Sequence, residues 1–254
     1  MNAIELINLQ KEFKKEAVVK NLNLNVRKGA FFGFLGPNGA GKTVTINMMV
    51  GLLKPTSGKI NLLGFDIDKD EIEHKRKIGI VLDRPLFFER LTGKEYLHFV
   101  GRMYDLEKRT VESRTEELLE FFKLQDKKNK FLETYSAGMK RKISLAATLI
   151  HNPDLLILDE PFESIDAATS RLIRNNLELM VEKGATIFLT SHILEIVEKL
   201  CSEIAIINIG ELIFKSSAEE IRNEIIKEGY SDLEDLFLNL VVPDKEKESL
   251  SWLE

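Results

Sequence analysis

Apolar positions recur along this chain with two different periods. Ile4-Glu5-Leu6-Ile7-Asn8-Leu9 alternates, and so does Asn21 to Val26, which predicts two half-buried strands. Ala30 to Leu35 is continuously apolar and predicts a fully buried strand just ahead of a glycine-rich loop. After the loop, Thr43 to Leu53 has helical spacing, and Lys54-Pro55 predicts its end because a proline pushes the residue before it out of the helical region. Ile78 to Leu82 predicts another buried strand. Beyond Asp83-Arg84-Pro85 the pattern turns helical and stays so to about Ile150, with Thr92 and Glu95 as the capping box of the first helix. Strand signals return at Leu155-Leu156-Ile157-Leu158, at Thr186 to Leu189 and at Ile204 to Ile207, with a helical stretch between each pair. Ile209-Gly210 predicts a hairpin turn into Glu211 to Phe214. Ser217 with Glu220 then caps a helix, and a polar tail runs from Pro243 to Ser249. The alternation predicts an α/β core interrupted by a helical insertion and then resumed, with Pro243 bounding the ordered part. There is no fixed-period repeat and no low-complexity segment.

Gly36-Pro37-Asn38-Gly39-Ala40-Gly41-Lys42-Thr43 satisfies GxxxxGK[ST] between a predicted strand and a predicted helix, the context that pattern requires. The glycines let the backbone curl so that successive N–H groups point inward, and the helix N-terminus adds partial positive charge. Lys42 then reaches the β- and γ-phosphates of a nucleotide, and Thr43 supplies an oxygen to Mg²⁺. The loop alone specifies a nucleoside triphosphate with Mg²⁺, a property that kinases, GTPases and many motors share.

With the loop placed, the rest of the chain from about Ile4 to Leu240 resembles the ABC ATPase family, in order and spacing. Tyr135-Ser136-Ala137-Gly138-Met139 is similar to the family's signature sequence LSGGQ, with Ser136 and Gly138 at the matching positions. A Ser hydroxyl and small residues at a helix N-terminus make an anion site able to close on a γ-phosphate bound by another subunit; taken alone Ser136 reads as a plain N-cap, and beside the phosphate loop and the Walker B resemblance the anion site is the reading that dominates. Leu155 to Leu158 followed by Asp159-Glu160 looks like the Walker B strand, where Asp159 would hold the Mg²⁺ shell and Glu160 would polarise the attacking water. Ser164-Ile165-Asp166-Ala167 resembles the D-loop, which assigns Asp166 to the nucleotide site, and Thr190-Ser191-His192 resembles the switch histidine. Phe13 stands where the family has an aromatic stacked on adenine; Phe31 and Phe32 lie nearby, and each of the three is also a core candidate.

The resemblance implies an α/β fold: a P-loop NTPase core with an antiparallel β subdomain and an inserted helical subdomain. One cassette domain would cover 1–240, with 1–84 and 151–215 as core, 85–150 as the insertion carrying the signature, and 216–254 as a helical C-terminus with the polar tail. It implies ATP and Mg²⁺ as ligands, with catalysis by Glu160, His192 and Lys42. Nucleotide would be bound by Phe13, Gly36, Pro37, Asn38, Gly39, Ala40, Gly41, Lys42, Thr43, Val44, Asp83, Ser136, Gly138 and Asp166, and metal by Thr43, Asp83 and Asp159. The expected partners are a second cassette, identical or not, and an integral membrane permease, at the cytoplasmic face of the cell membrane. Leu86, Phe87 and Phe88, beside Asp83, are candidates for the permease-docking surface, and each is equally a candidate for core packing.

Three positions depart from the family pattern. Asp83 occupies the Q-loop position, where Gln or Glu is usual; Val44 replaces a common hydroxyl residue after Thr43; and Phe162 stands where a Thr is frequent after Pro161. The signature form, Leu91-Thr92-Gly93-Lys94-Glu95-Tyr96-Leu97 and Leu233-Glu234-Asp235-Leu236-Phe237 resemble cassettes of bacterial exporters whose permease is a separate polypeptide. An importer cassette is the nearer alternative. DNA-repair and chromosome ATPases of this family typically carry a long coiled coil, and its translation factors carry two cassettes; neither fits. A small-molecule kinase is disfavoured by the signature and by Glu160.

Composition narrows the setting further. A chain of 254 residues buries a core without disulfides, and one cysteine, Cys201, excludes an internal disulfide framework. No apolar run approaches the roughly 20 residues that cross a bilayer, and Met1 to Gln10 has no basic-then-apolar leader pattern, so neither a membrane span nor secretion is expected. The formal net charge of -5 gives no nucleic-acid footprint. The runs Lys127-Lys128-Asn129-Lys130 and Lys140-Arg141-Lys142 read as solvated helix faces.

Overall fold

The computed structural model describes residues 1–69 and 75–242. The expected boundary at Pro243 and the polar tail lie outside the described residues. Two long strands, β1 (Asn2–Phe13) and β2 (Glu16–Arg27), form an antiparallel pair, and β4 (Ser57–Leu62) and the short β5 (Phe65–Asp66) extend it in the order β2-β1-β4-β5. The sequence reading recovered only the middles of β1 and β2, and it missed β4 and β5 altogether. Ser57-Gly58-Lys59 opens β4 with three exposed residues, so only Ile60 and Leu62 carry a burial signal, too little for a period to emerge.

The second sheet holds β3 (Phe31–Leu35), β6 (Ile78–Val81), β7 (Leu155–Asp159), β8 (Thr186–Thr190), β9 (Glu203–Asn208) and β10 (Glu211–Ser217), in the order β10-β9-β3-β8-β7-β6. Its interior pairs are parallel, and β10 closes one edge antiparallel to β9. The central strands are continuously apolar because both faces are covered. Phe31, Leu35, Leu156, Leu158, Ile187 and Leu189 belong to one hydrophobic cluster with the helices, whereas Phe32, Phe34, Leu155, Ile157 and Phe188 belong to another with the antiparallel sheet. Successive residues of one strand thus serve opposite cores. The predicted hairpin is present: Ile209 and Gly210 have φ of 48° and 80°, two consecutive left-handed residues that match the twist of the flanking strands.

Helix α1 (Lys42–Met49) ends earlier than the proline suggested. Gly51 takes φ 75°, its N–H donates to the Met48 carbonyl and the Leu52 N–H donates to the Asn47 carbonyl, which closes the helix four residues before Pro55. Residues 84–91 form no regular helix. The helical stretch begins at α2 (Gly93–Met103), capped by Thr92 and Glu95 as the sequence predicts, and continues through α3 (Lys108–Phe121) and α4 (Ala137–Leu149). Side chains from this stretch, including Leu97, Leu119 and Ile143, share one cluster with Leu156 and Leu158 of the sheet. Helices α5 (Ala167–Glu182) and α6 (Leu194–Leu200) connect the later strands, and α7 (Ala218–Glu228), opened by the Ser217–Glu220 capping box, and α8 (Leu233–Val241) follow. The fold is therefore mixed α/β, an antiparallel sheet and a mixed, largely parallel sheet with helices. Among the described residues, no helix is long and apolar enough to cross a membrane.

Candidate nucleotide site

The buried strand β3 delivers the chain into the loop 36–41 at the carboxyl end of the parallel strands, where α/β folds bind ligands. Two glycines are required there by geometry. A Cβ on Gly36 would sit 2.3 Å from the Ile207 carbonyl oxygen, and Gly41 combines φ 108° with only 2.9 Å from its would-be Cβ to the Val18 carbonyl oxygen. The loop is thus wedged between β2 and β9. Helix α1 starts from Gly41 with no side-chain cap, so the N–H groups of its first turn remain available to an anion. Lys42 folds back over the loop, its Nζ donating to the Gly36 carbonyl at 2.6 Å and the Pro37 carbonyl at 3.1 Å. Burial lowers the pKa of this ammonium, and Glu160 and Asp159 oppose the shift. A partly desolvated cation beside uncapped amides favours a negatively charged group.

Across the sheet, Asp159 ends β7 with 1% exposure. Its two carboxylate oxygens divide between two hydroxyls: Thr43 Oγ1 donates to Oδ2 at 3.2 Å, and Thr190 Oγ1 donates to Oδ1. Burial raises the pKa of this carboxyl and the two hydroxyl bonds pull it back. Glu160 follows in a left-handed conformation, φ 49°, which is uncommon for a residue with a Cβ. Its N–H donates to Thr190 Oγ1 at 3.2 Å, and its Oε2 accepts the His192 N–H at 3.2 Å and lies 2.9 Å from His192 Nδ1. The structure therefore brings Lys42, Thr43, Asp159, Glu160 and His192 into one neighbourhood. The donor set, one carboxylate with a hydroxyl beside a phosphate-type loop, fits Mg²⁺, which takes few protein oxygens and leaves the rest to phosphate and water. Among the described residues, no group of three or more His, Cys, Asp and Glu side chains offers a denser metal cage.

Phe13 lies at the tip of the β1–β2 hairpin, paired with Glu16 and 44% exposed, while Phe31 and Phe32 are buried in the two cores. Lys11 pairs with Val19, whose neighbour Val18 touches Gly41, so the hairpin tip rises beside the loop. Lys11 Nζ lies over the Phe13 ring at 5.1 Å from its centroid and is tied to the Lys54 carbonyl at 2.7 Å. Val44 packs against the cluster under the antiparallel sheet.

The signature residues satisfy themselves locally. Ser136 Oγ caps α4 by accepting the Met139 N–H at 3.3 Å. A Cβ on Gly138 would lie 2.5 Å from the Ser164 carbonyl oxygen, so its missing side chain is explained by the 162–166 turn of the same chain. Asp166 caps α5 and accepts from the Thr169 N–H, Thr169 Oγ1 and Lys142 Nζ; the Lys142 ammonium and the Thr169 donors hold its carboxyl well below the usual range. Asp83 is half-exposed, 3.8 Å from the Arg141 guanidinium.

One sequence reading needs correction. The run Lys140-Arg141-Lys142 is not a solvated face: the Arg141 side chain is 7% exposed and Lys142 is ion-paired to Asp166 at 2.8 Å. Phe87 is partly buried and lines the surface beside Phe88. It packs on Tyr96 with centroids 5.5 Å apart, whereas Leu86 and Phe88 are 91% and 61% exposed along a cleft of about 530 Å³ that Phe99, Met103 and Tyr104 also line. Phe162, which the family pattern left unexplained, is a core residue. The sequence reading missed Thr190 as the partner of Asp159 and Arg141 as a buried cation. Thr190 is signalled only as a hydroxyl ending an apolar strand. Arg141 lies one helical turn ahead of Ser144 and Leu145, on a face that proves buried.

The family model described as ABC transporter matches residues 19–163, more than half of the chain. The linearmycin resistance ATP-binding protein LnrL of Bacillus subtilis (strain 168) is 42% identical over 206 residues, which are 81% of this chain and 66% of that protein. This chain thus spans just under two thirds of LnrL. The Nod factor export ATP-binding protein I of Cupriavidus metallidurans is 35% identical over 218 residues, 86% of this chain and 72% of that protein. Among solved structures, an ATP-binding subunit of an ABC transporter superposes with a TM-score of 0.87 at 28% identity, covering 94% of this chain and 99% of that one. The ATP-binding cassette MJ0796, solved as a dimer in a post-hydrolysis state with ADP and Pi, superposes with a TM-score of 0.77 at 26% identity over 85% of this chain and 98% of that one. The chain belongs to the ABC transporter family, as one of its ATP-binding proteins.

Proposed function

We propose that this chain binds and hydrolyses ATP as one of two paired cassettes and drives export through a separate membrane permease. The observation that carries the proposal is the meeting of Lys42, Thr43, Asp159, Glu160 and His192 at the carboxyl end of the sheet. In this reading Lys42 and the uncapped amides of α1 neutralise the β- and γ-phosphates, and Phe13 stacks on the base. Thr43 and Asp159 would hold Mg²⁺, with Asp83 as a further candidate ligand, and the ion would neutralise phosphate charge. Glu160 accepts the proton of the attacking water, and His192 fixes the direction of its carboxylate. Glu160→Gln keeps the shape and removes the base, so turnover falls by about 10²-fold or more while ATP still binds. A variant that hydrolyses ATP at the wild-type rate would remove Glu160 from this role.

The pairing follows from what Ser136 and Gly138 lack. Their local contacts supply a cap and a close approach, and a helix N-terminus of this kind suits a γ-phosphate presented by a second chain. ATP added to Glu160→Gln should give a dimer that ADP dissolves; one unchanged mass by light scattering in both nucleotides counts against it. Linearmycin resistance and Nod factor export among the relatives support export as the direction. The helical segment 85–150 supplies the permease contact in this reading. Leu86→Ser with Phe88→Ser should abolish copurification with a permease encoded beside this chain and leave basal ATPase intact, since both side chains are exposed. Retained copurification moves the docking surface elsewhere.

A further inference from the structure

Arg141 stands on α4, five residues after the Ser136 cap, and points into the protein. Its Nη1 donates to the Leu82 carbonyl at 2.8 Å and its Nη2 to the Asp83 carbonyl at 2.9 Å. Nη1 also lies 3.5 Å from the Asp159 carbonyl, and Nη2 lies 3.8 Å from Asp83 Oδ1 and 3.7 Å from Glu163 Oε2. One side chain therefore closes on the end of β6, the end of β7 and the turn after β7. Both fully bonded carbonyls follow the last ladder pair between these strands, Val81 with Leu158, so the ladder itself does not hold them. The planar guanidinium fork meets two successive carbonyls at once. An ammonium, a point charge on a flexible stem, cannot. Burial of the cation is tolerated because carbonyls and two carboxylates surround it.

We infer that Arg141 is a positioning residue for hydrolysis, tying the Asp83 turn and the Glu160 turn to α4; this rests on the reading of Glu160 given above. The three elements then move together. A displacement at the Ser136 end of α4 reaches the hydrolytic carboxylate through one guanidinium rather than through the sheet, and a change in the Asp83 turn reaches it by the same fork. The outer members of the run do not share this geometry: Lys140 makes an exposed pair with Glu89 at 3.3 Å.

The test compares Arg141→Lys, Arg141→Met and Lys140→Met in the full chain, by ATP turnover and by hydrogen exchange. Arg141→Lys keeps the charge and the stem, so a role in packing or charge balance predicts near-wild-type turnover. Positioning by the fork predicts a kcat lower by on the order of 10²-fold, as small misplacements of reacting groups produce, with the KM for ATP within about threefold. Arg141→Met falls at least as far, and Lys140→Met matches wild type. Hydrogen exchange reads the same contact without catalysis: in both Arg141 variants, segments 82–84 and 160–165 exchange at least about tenfold faster while 36–45 is unchanged. Wild-type turnover in Arg141→Lys, or wild-type exchange in the two turns, overturns the inference. If the wild-type chain hydrolyses no ATP, the reading of the site falls, and the exchange result still decides whether Arg141 orders the two turns.

Discussion

Around the phosphate loop, side chains far apart in sequence hold one another, whereas on the signature side the capping side chains Ser136 and Asp166 bond near neighbours. Thr43 reaches Asp159 across 116 positions and Glu160 reaches Thr190 across 30. Ser136 and Asp166, by contrast, cap their own helices three residues on. The first group meets within one fold. The second is a pair of capped helix starts, and the pairing proposed above rests on the anion site that the α4 start would offer a second chain. In the proposed reading, changes on the loop side act on nucleotide binding and chemistry, and changes at the Ser136–Gly138 helix start act on pairing and on the local packing of α4, while Arg141 further along α4 joins the two sides.

Gly138→Val is the strongest test of that division. Its first carbon alone would meet the Ser164 oxygen at 2.5 Å, so α4 or the 162–166 turn must move. Overpacking of this kind costs about 1–3 kcal/mol, seen as a melting temperature lower by roughly 2–10 °C in a chain of this size. ATP affinity on the loop side should stay within about twofold while ATP-driven dimerisation of the Glu160→Gln background disappears. A loss of monomer ATP binding equal to the loss of pairing would show that the two groups are not separable.

The other end of α4 offers a pH handle. His151 stacks on Tyr104 with centroids 3.6 Å apart, and its Nε2 lies 3.2 Å from the Ile78 carbonyl, which joins α4 to the start of β6. Burial, aided by Arg114 and opposed by the Ile78 carbonyl, pushes its pKa down to about 4. The unfolded chain, with an ordinary histidine near 6.5, therefore takes up the proton first. The stabilisation from neutral His151 is complete above about pH 6.5 and is lost as the pH falls toward 4, on the order of 2–3 kcal/mol in all. Urea unfolding of wild type and of His151→Phe, which keeps a ring for the stack, should diverge across that window, wild type losing more. Parallel curves from pH 7 to 4.5 would rule out this linkage.

What the sequence disclosed follows the same division. The phosphate loop, Asp159-Glu160 and His192 were legible because local motifs mark them and the parallel strands are apolar throughout. The capping boxes at Thr92 and Ser217 were legible because each is a four-residue device. Arg141 was not, because a basic run reads the same whether its middle residue faces water or two carbonyls, and only the fold of β6 against β7 decides. Strand β4 was hidden by exposed residues, and α1 ended at Gly51 because a left-handed glycine acted before the proline could. Leu86, Phe87 and Phe88 are three similar residues in sequence; packing on Tyr96 separates the middle one from its exposed neighbours.

Val44 carries the smallest expected effect and the finest test of how the loop side works. In the proposed reading the phosphates meet the uncapped backbone N–H groups of α1 and the Lys42 ammonium. Restoring a hydroxyl by Val44→Thr offers one more hydrogen bond, a gain of about 0.5–1.5 kcal/mol if it forms. Val44 also packs, partly buried, against the cluster beneath the antiparallel sheet, and exchanging one of its methyls for a hydroxyl costs up to about 1 kcal/mol. The two terms nearly cancel. ATP affinity by fluorescence titration with Mg²⁺ should therefore change by less than about threefold, with the melting temperature slightly lower. A tenfold tightening would mean that the side chain at 44 reaches the phosphates after all, and that the loop side, like the signature side, is tuned by single hydroxyls rather than set by its backbone.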